Sequence, residues 1–328
     1  MTNYNRPIFD GTGAFLQGEL EALDPQIHLP LNLVTWHLDI LPRKDVSIGL
    51  EHTSFTNSTY GSIGGLVTSG KSWAAKRGNS APSVSLNIQK ITQDLYLWSQ
   101  TVDWTVIELE QAALLNRPVD VDKVFALNAI YQQDTDVQVY LGDADLGVFG
   151  LANSDSITRN DNAVTNVSNA VTGGWASATP TQIYNDIREL ETSVWKTSGY
   201  KAAPTKLLIP ASLYPLLLQP MVIGGVELAV SVREYIARNS LCLAQNGVEL
   251  DIQPRKWIDV STPGIPEILS SNRMVAYTPT YDKIRFPFTP LLHTPIEFEG
   301  LYQKTTYYSK LGQVEIVYPS TIGYRNNL

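Results

Sequence analysis

Cysteine is almost missing from this chain of 328 residues: Cys242 is the only one, so no internal disulfide can form and no cysteine metal cluster exists. It lies in the apolar run LCLA and reads as a buried packing residue. Charge is also scarce. Asp, Glu, Lys and Arg make up 17% of the residues, against roughly 25% in an ordinary soluble domain. Basic residues are the scarcer sign, leaving a net charge of −8, which argues against a broad phosphate-binding face. Nothing approaches eighteen consecutive apolar residues, so no membrane-spanning helix is expected. The N-terminus has no basic flank followed by an apolar core, so no signal peptide is expected, and the sequons at Asn57 and Asn166 carry little weight without one. The four histidines, His28, His37, His52 and His293, are scattered without metal-ligand spacing. Asp143 and Asp145 in DADLG lack the remaining ligands of a calcium loop. There is no G-x-S-x-G. No catalytic, cofactor-binding or metal-binding residue is assigned.

What is present is size and aromatic surface. The length allows one large or two ordinary domains, and 43% hydrophobic residues make the chain globular. Sixteen tyrosines and seven tryptophans fit either a β-rich core or extensive contact with partners.

Residues 1–32 are interrupted by glycine and proline and read as an extended arm, with a short helix conceivable over 14–23. Val34, Trp36, Leu38 and Ile40 alternate with polar residues, the period of a half-buried strand, and Val46–Glu51 continues it. A polar stretch over 52–82 is followed by strand signal at Val84, Leu86 and Ile88 and again at Leu95, Leu97 and Ser99. So long a polar stretch between strand-like flanks suggests a hairpin reaching beyond the core. Helical period takes over at 105–115 and ends at Pro118. Asp120 then serves as an N-cap for a second helix with Val121, Val124, Phe125 and Ala129 on its apolar stripe, widened by Leu127, Ile130 and Tyr131. Phe125 and Val124 are the expected anchors of that helix, and VQVYLG after it reads as a strand. Residues 153–179 read as a loop. A helix from Thr181 carries Ile183, Ile187, Leu190, Val194 and Trp195 inward and ends near Gly199. KLLIP (206–210), 248–252 and 274–277 read as strands, and 211–218 and 232–239 as short helices. This is a mixed α/β unit. Strands return at 296–302, 305–308 and 314–318.

One pattern points to an enzyme. Gly65 to Ser72, GLVTSGKS, matches the phosphate-cradling G-x-x-x-x-G-K-[ST] string. The chemistry also needs a buried strand entering the loop and a helix leaving it, with backbone N–H groups aimed at the phosphates. TNSTYGSIG precedes the match and only WAAKR separates it from Gly78, so neither is there. The string reads as a flexible Gly/Ser loop, with Lys71 as the residue a nucleotide-binding enzyme would use.

Three motifs in order carry a resemblance. They are Ala81-Pro82 plus a strand leading into WTVIELEQAALLNRPVDVDKVFALNAI; Leu146-Gly-Val-Phe-Gly-Leu-Ala-Asn153; and the C-terminal run from Pro290 with Gly312, Pro319 and Tyr324. Across residues 33–328 the chain resembles the major capsid proteins of tailed double-stranded DNA bacteriophages, an α+β architecture called the Johnson fold. The resemblance implies an N-terminal arm (1–32), an extended β-hairpin or E-loop (43–100), a peripheral domain with the spine helix (105–165 and 286–328) and an axial α/β domain (166–285). It implies self-assembly into hexamers and pentamers of an icosahedral shell around double-stranded DNA, without sequence-specific contact. Portal and scaffolding or cement proteins would be partners, and the virion the location, after assembly in the host cytoplasm. No cofactor is implied. No coiled-coil scaffolding segment precedes the arm, so scaffolding is expected from another chain or not at all. Lys71 and Lys76 fall in the hairpin, where some relatives cross-link, but read as solvated side chains. A cellular nanocompartment shell of the same fold, a tail or decoration protein, and a nucleotide-binding enzyme using Lys71 are the rival readings.

Overall fold

Strand β8 (Lys206–Pro210) explains how the body is built. KLLIP has no polar alternation because both faces of its sheet are covered. Leu207 and Ile209 enter one apolar core, and Leu208 the other. The computed structural model describes residues 33–63, 83–114, 119–154, 165–168, 174–265 and 268–328. In chain order the elements begin with α1 (Trp36–Asp39), β1 (Leu41–Arg43), β2 (His52–Ile63), β3 (Ser83–Asp94), β4 (Tyr96–Thr105), α2 (Val106–Leu114) and α3 (Val119–Tyr140). The short strands β5 (Gly142–Asp143), β6 (Val148–Phe149) and β7 (Thr165–Ser168) follow, then α4 (Pro180–Thr197), β8, β9 (Pro220–Ile223), β10 (Val226–Ser231), α5 (Val232–Arg238), α6 (Leu241–Asn246), β11 (Asp251–Arg255) and β12 (Arg273–Tyr277). The chain closes with β13 (Ile284–Pro287), β14 (Leu292–His293), β15 (Glu297–Glu299), β16 (Tyr302–Leu311), β17 (Glu315–Ile316) and β18 (Ile322–Asn326).

The central sheet has the order β11-β8-β12-β18-β7, with β8–β11 and β18–β7 parallel and the other pairs antiparallel. On one side, α4 places Ile183, Ile187, Leu190 and Val194 against Leu207, Ile209, Met274 and Ala276. α4 forms where its period predicts, and Thr179 with Gln182 closes a capping box in front of Pro180. On the other side, Val275, Tyr277, Ile322 and Tyr324 meet Trp36, Tyr140 and Leu141. A second sheet pairs β4 with β16 along ten residues, and β14 and β15 lie on the far side of β16. α3 crosses its face, packing Leu127 on Val102 and Trp104 and Tyr131 edge-on to Trp98.

The structure departs from the sequence expectations at several elements. Residues 36–39 form a helical turn, not a strand. Asp136 Oδ1 accepts the N–H groups of Thr35 (2.9 Å) and Trp36 (2.8 Å), capping that turn from a distant helix. The turn brings Trp36, Asp39 and Ile40 to one side, where all three are buried. Residues 46–51 are irregular. VQVY continues α3 instead of starting a strand, because Val139 and Tyr140 are locked in the core as its last turn. Asp120 lies inside the first turn of α3 and is not its N-cap. The buried stripe of α3 is Leu127, Tyr131, Thr135 and Val139, while Val121 and Phe125 are 44% and 57% exposed and Val124 is half-buried, so among the described residues neither expected anchor, Val124 or Phe125, lies in the core. Residues 214–218 make a 3-10 turn in place of the helix over 211–218. The strand expected at 248–252 is displaced to 251–255. Gly300 breaks the one expected over 296–302, and the last one shrinks to Glu315–Ile316. The arm over 1–32 lies outside the described residues.

Candidate assembly surfaces

Strands β2 and β3 pair along twelve residues, from His52↔Asp94 to Ile63↔Ser83, and among the described residues pair with no other strand. The polar excursion of the sequence is therefore partly a two-stranded ribbon. Its Ser, Thr and Asn content follows from having solvent on most of both faces. At its base, Phe55, Thr53 and Gln93 are buried, Asn57 Nδ2 donates to Val317 O (3.2 Å), and Arg43 Nη1 donates to Ser54 O (3.2 Å). Those odd-numbered residues share the face turned to the body. The opposite face presents Tyr60, Val84, Leu86 and Ile88, all at least 60% exposed.

The ribbon is rooted in a charge network. Glu315, fully buried, accepts from Arg43 Nη1 (2.7 Å) and Arg285 Nε (2.6 Å). Arg43 also pairs with Asp45 at 2.8 Å. The Asp45 hydrogen bond and the Glu315 charge hold the Arg43 pKa above its ordinary value against burial. Deeper, Asp39 accepts from Arg255 Nε (2.6 Å) and Nη2 (2.7 Å) and from the Tyr140 hydroxyl, and forms an ion pair with Lys206 Nζ at 2.9 Å. Burial works to raise the Asp39 pKa. The bonds from Arg255 and Tyr140 and the Arg255 and Lys206 charges outweigh it and keep the group below its ordinary value.

The motifs singled out in the sequence prove to be joints. The chain after α3 folds back so that Leu151 N and Ala152 N bond Val139 O and Tyr140 O, both at 2.8 Å, and Asn153 Nδ2 bonds Leu141 O at 2.6 Å. These are C-terminal carbonyls that a helix leaves unpaired. Gly150 permits the approach: a Cβ there would stand 2.3 Å from the Tyr140 carbonyl carbon. Gly312 is similarly confined, with Pro287 Cγ at 2.8 Å and Leu95 Cδ2 at 2.9 Å from any added Cβ. Tyr324 is buried, and its hydroxyl donates to Leu151 O at 2.7 Å. Nothing in the sequence signalled the buried ionic centre, whose members lie up to 216 residues apart.

Among the described residues, those considered for chemistry do not converge. His37 is exposed on the helical turn, His52 pairs with Asp94 at 2.7 Å on the surface, and His293 lies beside the Tyr307 ring. Asp143 Oδ1 accepts from Asp145 N at 2.9 Å, closing a local turn. Cys242 is buried. Among the described residues, no group of three or more His, Cys, Asp or Glu side chains is placed to hold a metal ion, and no helix is long and apolar enough to cross a membrane. Gly65–Ser72, with Lys71, and Lys76 lie outside the described residues, as does His28. One carboxyl stands apart. Burial raises the Glu191 pKa from 4.5 to about 7, opposed by a bond from the Leu241 backbone N–H. Its Oε1 has no partner.

The sequence profile described as major capsid protein matches residues 70–328. A comparison with curated protein sequences gives no match. Among solved structures, the chain is similar to the capsid of Myoviridae phage XM1, with 17% identity, coverage of 96% of this chain and 99% of that one, and a TM-score of 0.75. It is also similar to the mature capsid of bacteriophage PhiM1 (14% identity, 94% and 91% coverage, TM-score 0.54). A third likeness is to the holo-SrpI encapsulin complex of Synechococcus elongatus (10% identity, 94% and 93% coverage, TM-score 0.53). The shared architecture is the α+β Johnson fold. With the profile spanning most of its length, the chain belongs to the major capsid protein family and is a structural capsid subunit.

Proposed function

We propose that many copies of this subunit close into hexamers and pentamers of an icosahedral phage shell around double-stranded DNA. The observation that carries this is the ribbon of β2 and β3, whose apolar residues Tyr60, Val84, Leu86 and Ile88 face away from their own body. An isolated two-stranded ribbon is marginal in water. Laid over a neighbouring copy, it would bury that face and contribute to the roughly 2,000–5,000 Å² of an obligate interface. Ring-closing heterologous contacts of this kind build capsomers, and many such contacts reinforce one another.

In this reading, residues 1–32 are the arm, 43–100 the E-loop, 105–165 and 286–328 the peripheral domain with α3 as spine, and 166–285 the axial domain. β18 joins the axial sheet from the peripheral segment. The subunit is not an enzyme. The net charge of −8 suits a wall that encloses DNA and then lets it leave. Portal and scaffolding or cement proteins complete the particle, which forms in the host cytoplasm and becomes the virion capsid. The encapsulin likeness supports a second reading, a nanocompartment shell filled with protein.

Negative-stain electron microscopy of the purified full chain tests the proposal. Closed icosahedral particles are expected, and tubes, isolated rings or monomers alone would refute it. Nucleic acid in particles from the native source separates the phage shell from the protein-filled one.

A further inference from the structure

Helix α6 is lightly held. Of its residues, Leu241 to Asn246, only Cys242 is buried. Ser240 caps the first turn, accepting from Leu243 N at 3.2 Å. Gly247, with φ 69°, ends the helix and gives its N–H to Leu243 O at 3.0 Å. Asn239 before the segment and residues 247–249 after it are exposed. An element with so few buried contacts is the kind that opens without the rest of the fold.

What faces α6 from α4 is a carboxyl. Glu191 lies on the apolar stripe of α4 with Ile187, Leu190 and Val194 and is 2% exposed. It takes the Leu241 N–H, the first donor of α6, and its Oε1 has no partner. One N–H is weak compensation for a buried charge. Among the described residues, no cation supplies the rest. α6, β7 and the turn 319–321 carry no charged residue. On α5, Arg238 is held by Glu234 at 2.5 Å and Arg233 is exposed. Arg188 and Lys196 of α4 are exposed. Arg325, which β18 turns toward α4, is taken by Asp186 and by Glu189 at 3.0 Å. The β8, β9 and β12 residues packed with the stripe, among them Leu207, Met221 and Met274, are apolar. The one titratable neighbour is Cys242, whose thiol is pushed up by burial and by the Glu191 charge.

We propose that Glu191 is a pH latch on α6: while its carboxyl holds a proton the segment 240–249 stays closed on α4, and loss of that proton opens the segment and bares Cys242. This goes beyond the assembly reading and does not depend on it. The neutral acid suits the apolar stripe, whereas the carboxylate regains water only when the segment over it lifts. The lift is local. β11 stays paired with β8 from Asp251↔Lys206 to Arg255↔Pro210, and Asn239 N stays on Tyr235 O (3.1 Å) at the end of α5. The sign follows from linkage. Burial raises the carboxyl from 4.5 to about 7 in the closed form, so closure is fully favoured below about 4.5 and weakens as pH rises to about 7. With the ordinary 4.5 restored in the open form, the open population should grow roughly thirtyfold between about pH 5.5 and 8.5, under a ceiling of about three-hundredfold.

Thiol labelling reads the opening, because Cys242 is the only cysteine of the chain. The full chain is reacted with dithiodipyridine, and its rate is divided by that of the urea-unfolded chain at the same pH, which cancels ionisation of the thiol itself. The ratio should rise roughly thirtyfold from about pH 5.5 to 8.5 in the wild type and stay within about twofold in Glu191→Gln. A flat ratio in the wild type, or an equal rise in the variant, would overturn the latch. Hydrogen exchange on the wild type is a second readout that needs no variant to fold. After correction for intrinsic rates, amides of residues 241–247 should lose protection over the same range while those of 206–210 keep theirs. Unchanged protection in 241–247, or equal loss in both stretches, would overturn a local opening.

Discussion

Asp39→Ala removes the acceptor at the centre of the buried ionic cluster. The carboxylate takes two bonds from Arg255, at 2.6 and 2.7 Å, and pairs with the Lys206 ammonium at 2.9 Å. Arg255 and Lys206 are 6% and 7% exposed, so water cannot replace the lost partner. Leaving a buried ion unpaired destabilises by about 3–5 kcal/mol. Lys206 keeps Leu38 O at 2.6 Å and Asp251 at 3.3 Å, which places the expected loss toward the lower end of that range. Removing both charges in Asp39→Leu with Arg255→Met should be milder than the sum of the single changes, since neither ion is then stranded. Urea denaturation of dissociated full-length subunits measures each value. The pH dependence follows from linkage. Because the folded pKa of Asp39 lies below its ordinary 3.8, its contribution is complete above that value and fades as pH falls through the folded pKa. The gap between wild type and Asp39→Asn should therefore be flat above about pH 5 and close in acid. A loss under about 1 kcal/mol for Asp39→Ala, or additive single changes, would refute the assignment of this cluster as an ionic clasp.

Glu191→Gln should act in the opposite direction. With its folded pKa raised to about 7, the folded state holds a proton that the unfolded state has released, so stability declines as pH rises from about 4.5 to 7. The variant should gain on the order of a few kcal/mol over wild type at pH 8 and nothing at pH 4, read by melting at the two values. Phe125→Asp should leave subunit stability within about 0.5 kcal/mol because the ring is largely exposed, whereas Leu127→Asp, at a site 3% exposed, should yield no folded subunit by circular dichroism. Gly150→Ala should lose soluble protein altogether, since its methyl group would overlap the Tyr140 backbone; a soluble variant with an unchanged melting temperature would contradict the close approach.

The elements legible in the sequence are those whose partners are near or whose faces are uniform. α4 has one apolar face and its own capping box, and β8 is apolar throughout because both its faces are covered. The ribbon could be inferred from strand-like flanks around a polar stretch. What was missed depends on distant contacts. Trp36, Leu38 and Ile40 carry strand period, yet Asp136 supplies a cap one hundred residues away in sequence and the segment turns helical. The buried face of α3 carries Thr135 and Asp136, while Phe125 and Val121 stand in solvent. A periodicity argument that assumes apolar means inside therefore centred the stripe on the wrong residues, although Leu127 and Tyr131 at its margin are buried. In a subunit whose surfaces are proposed to meet other copies, apolar residues serve two interiors, and a single sequence does not separate them.

The weak motifs that carried the family resemblance gain a common explanation from their positions in space. Gly150 and Asn153 close the C-terminus of α3. Tyr324, some 170 residues later, fastens the same returning chain through Leu151 O and Ser154. Asp136 and Tyr140, in the last turns of that helix, hold α1. The end of α3 is thus the point where the N-terminal segment, the helix, the central sheet and the C-terminal strand are joined. The residues this requires are glycines without room for a Cβ and polar groups aimed at unpaired backbone. No spacing rule links them, because each belongs to a different segment, and no reaction chemistry marks them. That joint ties the segments of the body to one another, while the ribbon of β2 and β3 keeps its apolar row of Tyr60, Val84, Leu86 and Ile88 exposed.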